Sequence, residues 1–450
     1  MVTLPGWFKK AGFYVTGTGK VFHPDLPANN DFPQSWSDEP FAPSKLQCSH
    51  RRMTCNYGPE ESETFDVDSA ATNESLARLE AWLTKASVPP PLFLALGLQG
   101  PRLPWSYSDA AAEQLAPVED FPVPQAMDAP KERRANSTAL GNALEWFRPT
   151  EVDIYSNVHV SRSKPMGPAQ QRETRRAYFA TVTHADSQLG RMVSAFERTL
   201  ETIRRRTGEA REGLVVVHVD HGQNLGEMNM WSMMNLLETS LRVPLIVSLI
   251  GGNSSDRRGG SEGKAGMQEA HPHFFKPIVE LVDVFPTVAA LAGVPVTGLA
   301  LDGRDLSGPL SRALEGTEDS APGLPEDDIE NGPAAFGQIT RCLNCTLAYE
   351  GAEPDGATQC ESDQPEDSRH GLPSNLGNGT GEALYLTVPC AMTPRTDFDF
   401  MGLTIRTPSW RYNLWCDWDG KALAPDWDRC FGPELFDHRG DLNLRQSLRT

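Results

Sequence analysis

The sequence predicts an α/β protein in which a mostly parallel sheet is sandwiched by helices, followed by a smaller C-terminal α+β subdomain. Three observations carry this expectation. Apolar runs of strand length alternate with long stretches of helical periodicity, the pattern of βαβ units. The run at 91–98 is apolar throughout rather than alternating, which suits a strand covered on both faces. Beyond residue 334 the pattern changes to aromatic, turn-rich segments such as 405–412, which read as antiparallel hairpins.

In chain order, residues 4–13 form a short amphipathic helix, with Trp7, Phe8 and Ala11 opposite Lys9 and Lys10, ended by Gly12. The strand-like Phe13-Tyr14-Val15 follows and leads into Gly17-Thr18-Gly19-Lys20-Val21-Phe22-His23-Pro24. A glycine-rich turn here lets Lys20 and His23 project together near a strand end. The ammonium supplies a point charge for an anion, and an imidazole shuttles protons near neutral pH. Residues 24–66, rich in Pro, Asn and Ser, read as an irregular excursion. Residues 75–86 are helical, with Leu76, Leu79, Trp82 and Leu83 on one face. The strand at 91–98 comes next and runs into Gly100-Pro101-Arg102.

Residues 172–206 carry the clearest helical period, through Tyr178, Val182, Ala185, Leu189, Met192, Val193 and Phe196. A strand at 213–219 then delivers Asp220-His221-Gly222 to its carboxyl end, where ligands of open α/β sheets sit. That acid and imidazole are a candidate metal or anion site. The competing reading is a turn in which Asp220 caps the next segment and His221 is an ordinary surface group. A strand at 243–250 and a helix at 279–293 complete the core. Three stretches, 251–273, 307–334 and 350–382, are Gly-, Ser- and acid-rich, too polar to order themselves by burial. The second is the expected boundary, dividing the chain into a core (1–306), a linker (307–334) and a C-terminal subdomain (335–450).

The formal charge of −19 over 450 residues argues against nucleic acid and anionic lipid as partners. An anionic substrate would therefore need a local cluster of Lys, Arg and His. No stretch reaches the length of apolar sequence that spans a membrane. Among eight cysteines, Cys342 and Cys345 form a lone CxxC, and Cys48 and Cys55 could close a short disulfide loop. Asn-x-Ser/Thr sequons stand at Asn73, Asn136, Asn253, Asn344 and Asn378, in keeping with a secretory or lysosomal setting. The first residues have neither the basic nor the apolar region of a signal peptide, and read as the interior of a domain.

Taken together, the segments 5–14 and 17–24 resemble the region that follows the nucleophile in sulfatases of the alkaline phosphatase superfamily. Matching motifs continue in order: Ser35-Trp36-Ser37, 91–104, Arg176 to Arg191, Asp220-His221-Gly222 with Leu225-Gly226-Glu227 and Trp231, Val243-Pro244-Leu245, 279–287, Ala335 to Gln338 with Arg341, 401–406 and 434–438. The resemblance covers nearly the whole chain. It implies an alkaline-phosphatase-like fold and hydrolysis of a sulfate ester, on a sulfated sugar or glycosaminoglycan end, by a formylglycine nucleophile with calcium. It further implies that Asp220 and His221 belong to the metal site, that Lys20 steadies nucleophile and sulfate, and that His23 takes a proton as sulfate leaves. A lysosomal or secreted location is implied for the full-length family member.

Departures from the family pattern are specific. No Cys-x-Pro-x-Arg or Ser-x-Pro-x-Arg occurs in the 450 residues, so the expected formylglycine has no counterpart and the calcium site is partial. The region that would hold the nucleophile and the first metal-binding Asp pair is expected to precede Met1. Arg102 stands where the family usually has a proton-donating His; it keeps the charge for substrate binding but cannot donate a proton at neutral pH. Met233 stands at the place of a sulfate-binding Lys. Two alternatives stay open: a sulfatase-like carbohydrate-binding protein without hydrolysis, and a phosphoesterase or phosphonate hydrolase of the same superfamily.

Overall fold

The computed structural model describes residues 2–23, 28–43, 52–58, 66–123, 152, 166–227, 230–231, 233–251, 274–275, 277–314, 334–343, 387–388, 390 and 393–439. Helix α1 (Leu4–Lys10) starts where the Thr3 hydroxyl accepts the Gly6 N–H, and it buries Phe8. Strand β1 (Tyr14–Gly19) follows, then β2 (Thr54–Tyr57), α2 (Val67–Thr84), β3 (Leu92–Gly97) and β4 (Trp105–Ser108). The 40-residue helix α3 (Pro168–Thr207) closes on Gly208 in the left-handed region, at φ 75°. Strands β5 (Glu212–His218) and β6 (Leu245–Gly251) and helices α4 (Val284–Leu291) and α5 (Ser307–Leu314) complete the core.

Strand β1 pairs in parallel with β3, from Tyr14↔Leu92 to Gly19↔Gly97. Alternate residues of β3 face opposite layers. Phe93 and Ala95, with Leu214 and Val216 of β5, pack on the cluster of Phe8, Val15, Trp36, Val288 and Ala289 from α1, β1, the irregular stretch after β1, and α4. Leu92 and Leu94 pack on Leu79, Trp82 and Ile203 from α2 and α3. Strand β3 therefore has helices on both faces, as its unbroken apolar run predicts. Strand β5 pairs antiparallel with β6, and β2 in parallel with β4, each as a separate two-stranded ladder among the described residues.

Two sequence expectations are corrected. Gly17-Thr18-Gly19 is not a turn but the end of β1, bonded in register to Ala95, Leu96 and Gly97. The glycines serve close packing: a Cβ on Gly17 would lie 2.5 Å from the Trp36 ring, and one on Gly19 would lie 2.0 Å from the Gly97 carbonyl. Helix α2 starts at Val67, not at 75, capped by Asp66, whose carboxylate accepts the Ser69 N–H at 2.7 Å. Its first turns escaped the apolar period because they bury small polar residues. Thr72 and Ser75 are fully buried, and the Ser75 hydroxyl meets that of Thr18 at 2.5 Å.

The C-terminal part is an antiparallel sheet of β7 (Ala335–Leu343), β8 (Thr387–Val388), β9 (Phe400–Arg406), β10 (Trp410–Asp419) and β11 (Ala424–Asp437), in the order β11-β10-β9-β7-β8. The hairpin read at 405–412 is the β9–β10 pair, with Arg411 opposite Arg406. Helix α5 occupies the start of the segment expected to be linker. The sheet docks on the core through Leu236, which joins Phe400 and Trp415 in one cluster, and through Glu238. That carboxylate accepts from Arg411 at 2.6 Å and from Arg406 at 3.0 Å. The CxxC does not close on itself: Cys342 pairs with Cys390 and Cys416 with Cys430. Cys55 is disulfide-bonded too, while Cys48 lies outside the described residues. Of the breaks in the pattern, 350–382 and nearly all of 251–273 lie outside them as well.

Candidate active site

The carboxyl ends of β1, β3 and β5 build one site. Strand β1 ends on Gly19 at φ 73°, and the next residue, Lys20, donates its backbone N–H to the Gly97 carbonyl of β3 at 2.7 Å. A Cβ on Gly97 would sit 2.1 Å from the Lys20 carbonyl carbon, so only glycine allows the two strand ends to approach this closely. Two residues beyond β5, Asp220 reaches Lys20: Nζ to Oδ2 is 3.8 Å. The Lys20 side chain is 23% exposed and that of Asp220 is 66% exposed, so the pair opens to solvent.

His221 faces the same carboxylate, with Nε2 3.7 Å from Asp220 Oδ2. Its Nδ1 lies 3.0 Å from the Gly222 carbonyl. A carbonyl only accepts, so Nδ1 carries a proton and Nε2 is the ring atom turned to Asp220. This is how metal-binding histidines are oriented. Gly222 is fixed in turn, donating to the Ser240 carbonyl at 2.8 Å, and a Cβ there would lie 2.0 Å from the Thr239 carbonyl oxygen.

Lys20, Asp220 and His221 are thus brought into contact. His23 lies exposed three residues beyond Lys20, on the segment leaving β1. Arg102 is half-buried on the loop leaving β3, its N–H bonded to the Gln99 carbonyl at 3.0 Å. Met233 is 3% exposed, and the arginine of the next strand system, Arg341, is fully buried with one guanidinium nitrogen on the Met234 carbonyl at 2.5 Å. Position 233 therefore faces the interior, where a thioether packs well. The segment 225–227 is held from α3, where Arg175 donates to the Leu225 carbonyl at 2.7 Å and to Glu227 at 3.0 Å.

One polar group close to the site escaped the sequence reading. Asp68, 4% exposed in the first turn of α2, accepts the backbone N–H groups of Gln99 at 2.6 Å and Gly100 at 2.9 Å. Burial pushes its carboxyl up to about 6. Beside it, Asp66 Oδ2 meets His184 Nε2 of α3 at 2.7 Å. Burial works against the Asp66 charge, but His184 and the Ser69 amide hold its carboxyl below the usual carboxylate range. The available signal was an Asp-x-Asp pair opening a helix, which composition alone assigns to capping.

A calcium ion takes six to eight oxygen ligands. Asp220 and His221 offer one carboxylate and one imidazole, and no group of three or more His, Cys, Asp or Glu able to hold a metal occurs among the described residues. Two such ligands fall well short of the shell that a calcium ion requires.

Helices on both faces of a parallel strand pair, followed by an antiparallel C-terminal sheet, make an alkaline-phosphatase-like fold. The sulfatase family profile matches residues 1–294, and the chain belongs to the sulfatase family, the sulfuric ester hydrolases. It is similar to iduronate 2-sulfatase of Mus musculus, 26% identical over 96% of this chain and 74% of that protein. Arylsulfatase K of Danio rerio is 29% identical over 68% of this chain and 52% of the relative. Among solved structures, the phosphonate monoester hydrolase SpPMH from Silicibacter pomeroyi matches with TM-score 0.56 at 16% identity, over 99% of this chain and 75% of that one. The 2-O GAG sulfatase BT1596 matches with TM-score 0.51 at 14% identity, over 100% and 69%. At those identities the two structures speak to the fold alone.

Proposed function

We propose that this chain carries the anion-binding part of an iduronate-2-sulfatase-like active site, suited to a sulfate ester on a sugar or glycosaminoglycan end. The observation that carries the reading is that Asp220 meets both Lys20 and His221 at the ends of β1 and β5. Sulfuryl transfer spreads negative charge over the equatorial oxygens, and a fixed ammonium beside that position lowers the barrier. Lys20 fills this role, Arg102 adds a guanidinium for the substrate, and His23 exchanges a proton with the departing sulfate. When bound, a calcium ion would add positive charge at the same oxygens, with Asp220 and His221 among its ligands. Those two residues alone leave the shell of such an ion incomplete.

Titration calorimetry with inorganic sulfate at low salt tests the site. The expected result is saturable binding by the 450-residue chain, weakened at least tenfold in Lys20→Ala with its circular dichroism unchanged. Equal affinity in the variant would sink the assignment.

A second reading, a sulfatase-like carbohydrate-binding protein without turnover, is favoured by two internal features of the sequence, Arg102 and Met233 at the places described. The chain as given is expected to hydrolyse no chromogenic sulfate ester, with or without calcium. Calcium-dependent turnover would show a nucleophile among these residues and defeat that part of the reading. A secretory or lysosomal location fits the paired cysteines, which form in oxidising compartments, and the exposed sequon Asn73.

A further inference from the structure

Three polar backbone groups of residues 99–101 are held by buried side chains. Asp68 takes the N–H groups of both Gln99 and Gly100. The indole N–H of Trp105, which has no exposed surface, donates to the Pro101 carbonyl at 3.0 Å. The Arg102 N–H closes a turn on the Gln99 carbonyl at 3.0 Å. The loop is also tightly enclosed: a Cβ on Gly100 would lie 2.9 Å from Asp68 Oδ2 and 2.9 Å from the Thr181 methyl of α3. At its start, Gly97 is bonded to Lys20. One buried carboxylate thus fixes the backbone that runs from the β3 end beside Lys20 to Arg102.

We propose that Asp68 is a positioning residue for anion binding: by gripping the N–H groups of Gln99 and Gly100, it sets the loop that delivers Arg102 toward the site of Lys20. The inference rests on the anion-site reading given above and names a residue that never touches the ligand. A carboxylate suits the task, because one ionised group accepts two parallel N–H bonds with both oxygens, and charge-assisted bonds are about twice as strong as neutral ones. An amide at this place accepts one N–H and turns its own NH2 group against the other. The charged groups that act on Asp68 are Asp66 on its own helix and His184 on α3; the loop presents only backbone amides to it. Protonation of Asp68 likewise places an O–H against an N–H donor, so the grip loosens in acid.

The test uses the full chain as wild type, Asp68→Asn, Gly100→Ala and Lys20→Ala. Hydrogen exchange by mass spectrometry, corrected for intrinsic rates, reads residues 98–104, and calorimetry reads inorganic sulfate affinity. Asp68→Asn is expected to lower protection of 98–104 about tenfold or more, consistent with losing a charge-assisted bond, while peptides of β1 and β5 keep theirs. Sulfate affinity falls about tenfold in parallel. In the wild type, protection of the loop drops as the pH falls through about 6, and Asp68→Asn removes that step. Gly100→Ala presses on the same contact from the loop side and gives the same pair of losses, which covers the case in which Asp68→Asn does not fold. Unchanged loop protection overturns the proposal, and so does lost protection with sulfate affinity intact. If the wild type binds no sulfate, or Lys20→Ala binds it equally well, the anion-site reading fails; the exchange data then decide by themselves whether Asp68 holds the loop.

Discussion

Replacing Glu238 by Gln would test what joins the C-terminal sheet to the core. Glu238 is 7% exposed and accepts from Arg411 and Arg406, while Arg411 also reaches the Leu236 carbonyl at 3.2 Å. Burial opposes its charge, but the two guanidinium groups outweigh burial and hold its carboxyl down at about 2, from 4.5. At about 1.36 kcal/mol per pH unit, that lowering corresponds to roughly 3 kcal/mol. Removing one partner of a buried ion pair costs about 3–5 kcal/mol, because the remaining charges stay buried. The folded-state pKa lies below the unfolded one, so the contribution is complete above about pH 4.5 and is lost as the pH falls toward 2. Urea unfolding followed by tryptophan fluorescence reads this, since Trp415 is buried in the docked sheet. Glu238→Gln is expected to unfold about 3 kcal/mol more easily at pH 7, with the difference shrinking to less than half at pH 3. A loss at pH 7 below about 1 kcal/mol, or a difference that does not shrink in acid, would refute the argument.

Other predictions follow from the same geometry. Asp68 has the opposite sign to Glu238: its pKa is raised in the folded state, so its ionisation opposes folding above about pH 6 and that cost is relieved as the pH falls toward 3.8. Wild-type stability measured in urea should therefore rise between about pH 6.5 and 4.5 by an amount that Asp68→Asn abolishes, and a flat wild-type profile would count against the burial argument. Gly97→Ala should abolish sulfate binding and lower the melting temperature sharply, because its Cβ would overlap the Lys20 backbone; a variant with wild-type melting would show that the β1–β3 ends are not so closely joined. Replacing Cys416 and Cys430 by Ser opens a loop of sequence separation 14 and should cost about 3 kcal/mol in urea unfolding. Equal stability in the double variant would contradict that estimate.

Much of the architecture was legible because burial writes itself into periodicity. The unbroken apolar run of β3 announced a strand with helices on both faces, and the three- and four-residue spacing between Tyr178 and Phe196 announced α3. Asp220 and His221 could be placed at a strand end because an apolar run stops directly before them. The first turns of α2 stayed hidden, since Asp66, Asp68, Thr72 and Ser75 look like loop or surface residues and are buried by partners distant in sequence. Gly17-Thr18-Gly19 looked like a turn because glycine permits both a reversal and a close approach of two chains, and local sequence does not tell these apart. Cys342 found Cys390 rather than its CxxC neighbour for the same reason: pairing follows distance in space.

By itself the sequence determined the fold class, the family and the residue types available for an anion and a cation. The tertiary structure decided that Lys20 meets Asp220, that Glu238 clamps two arginines of another sheet, and that Asp68 grips the loop of Arg102. Periodic burial is a local property of a chain, readable over a few turns. Contacts between chemically ordinary residues far apart are set by how whole layers pack, and no short window of sequence contains them.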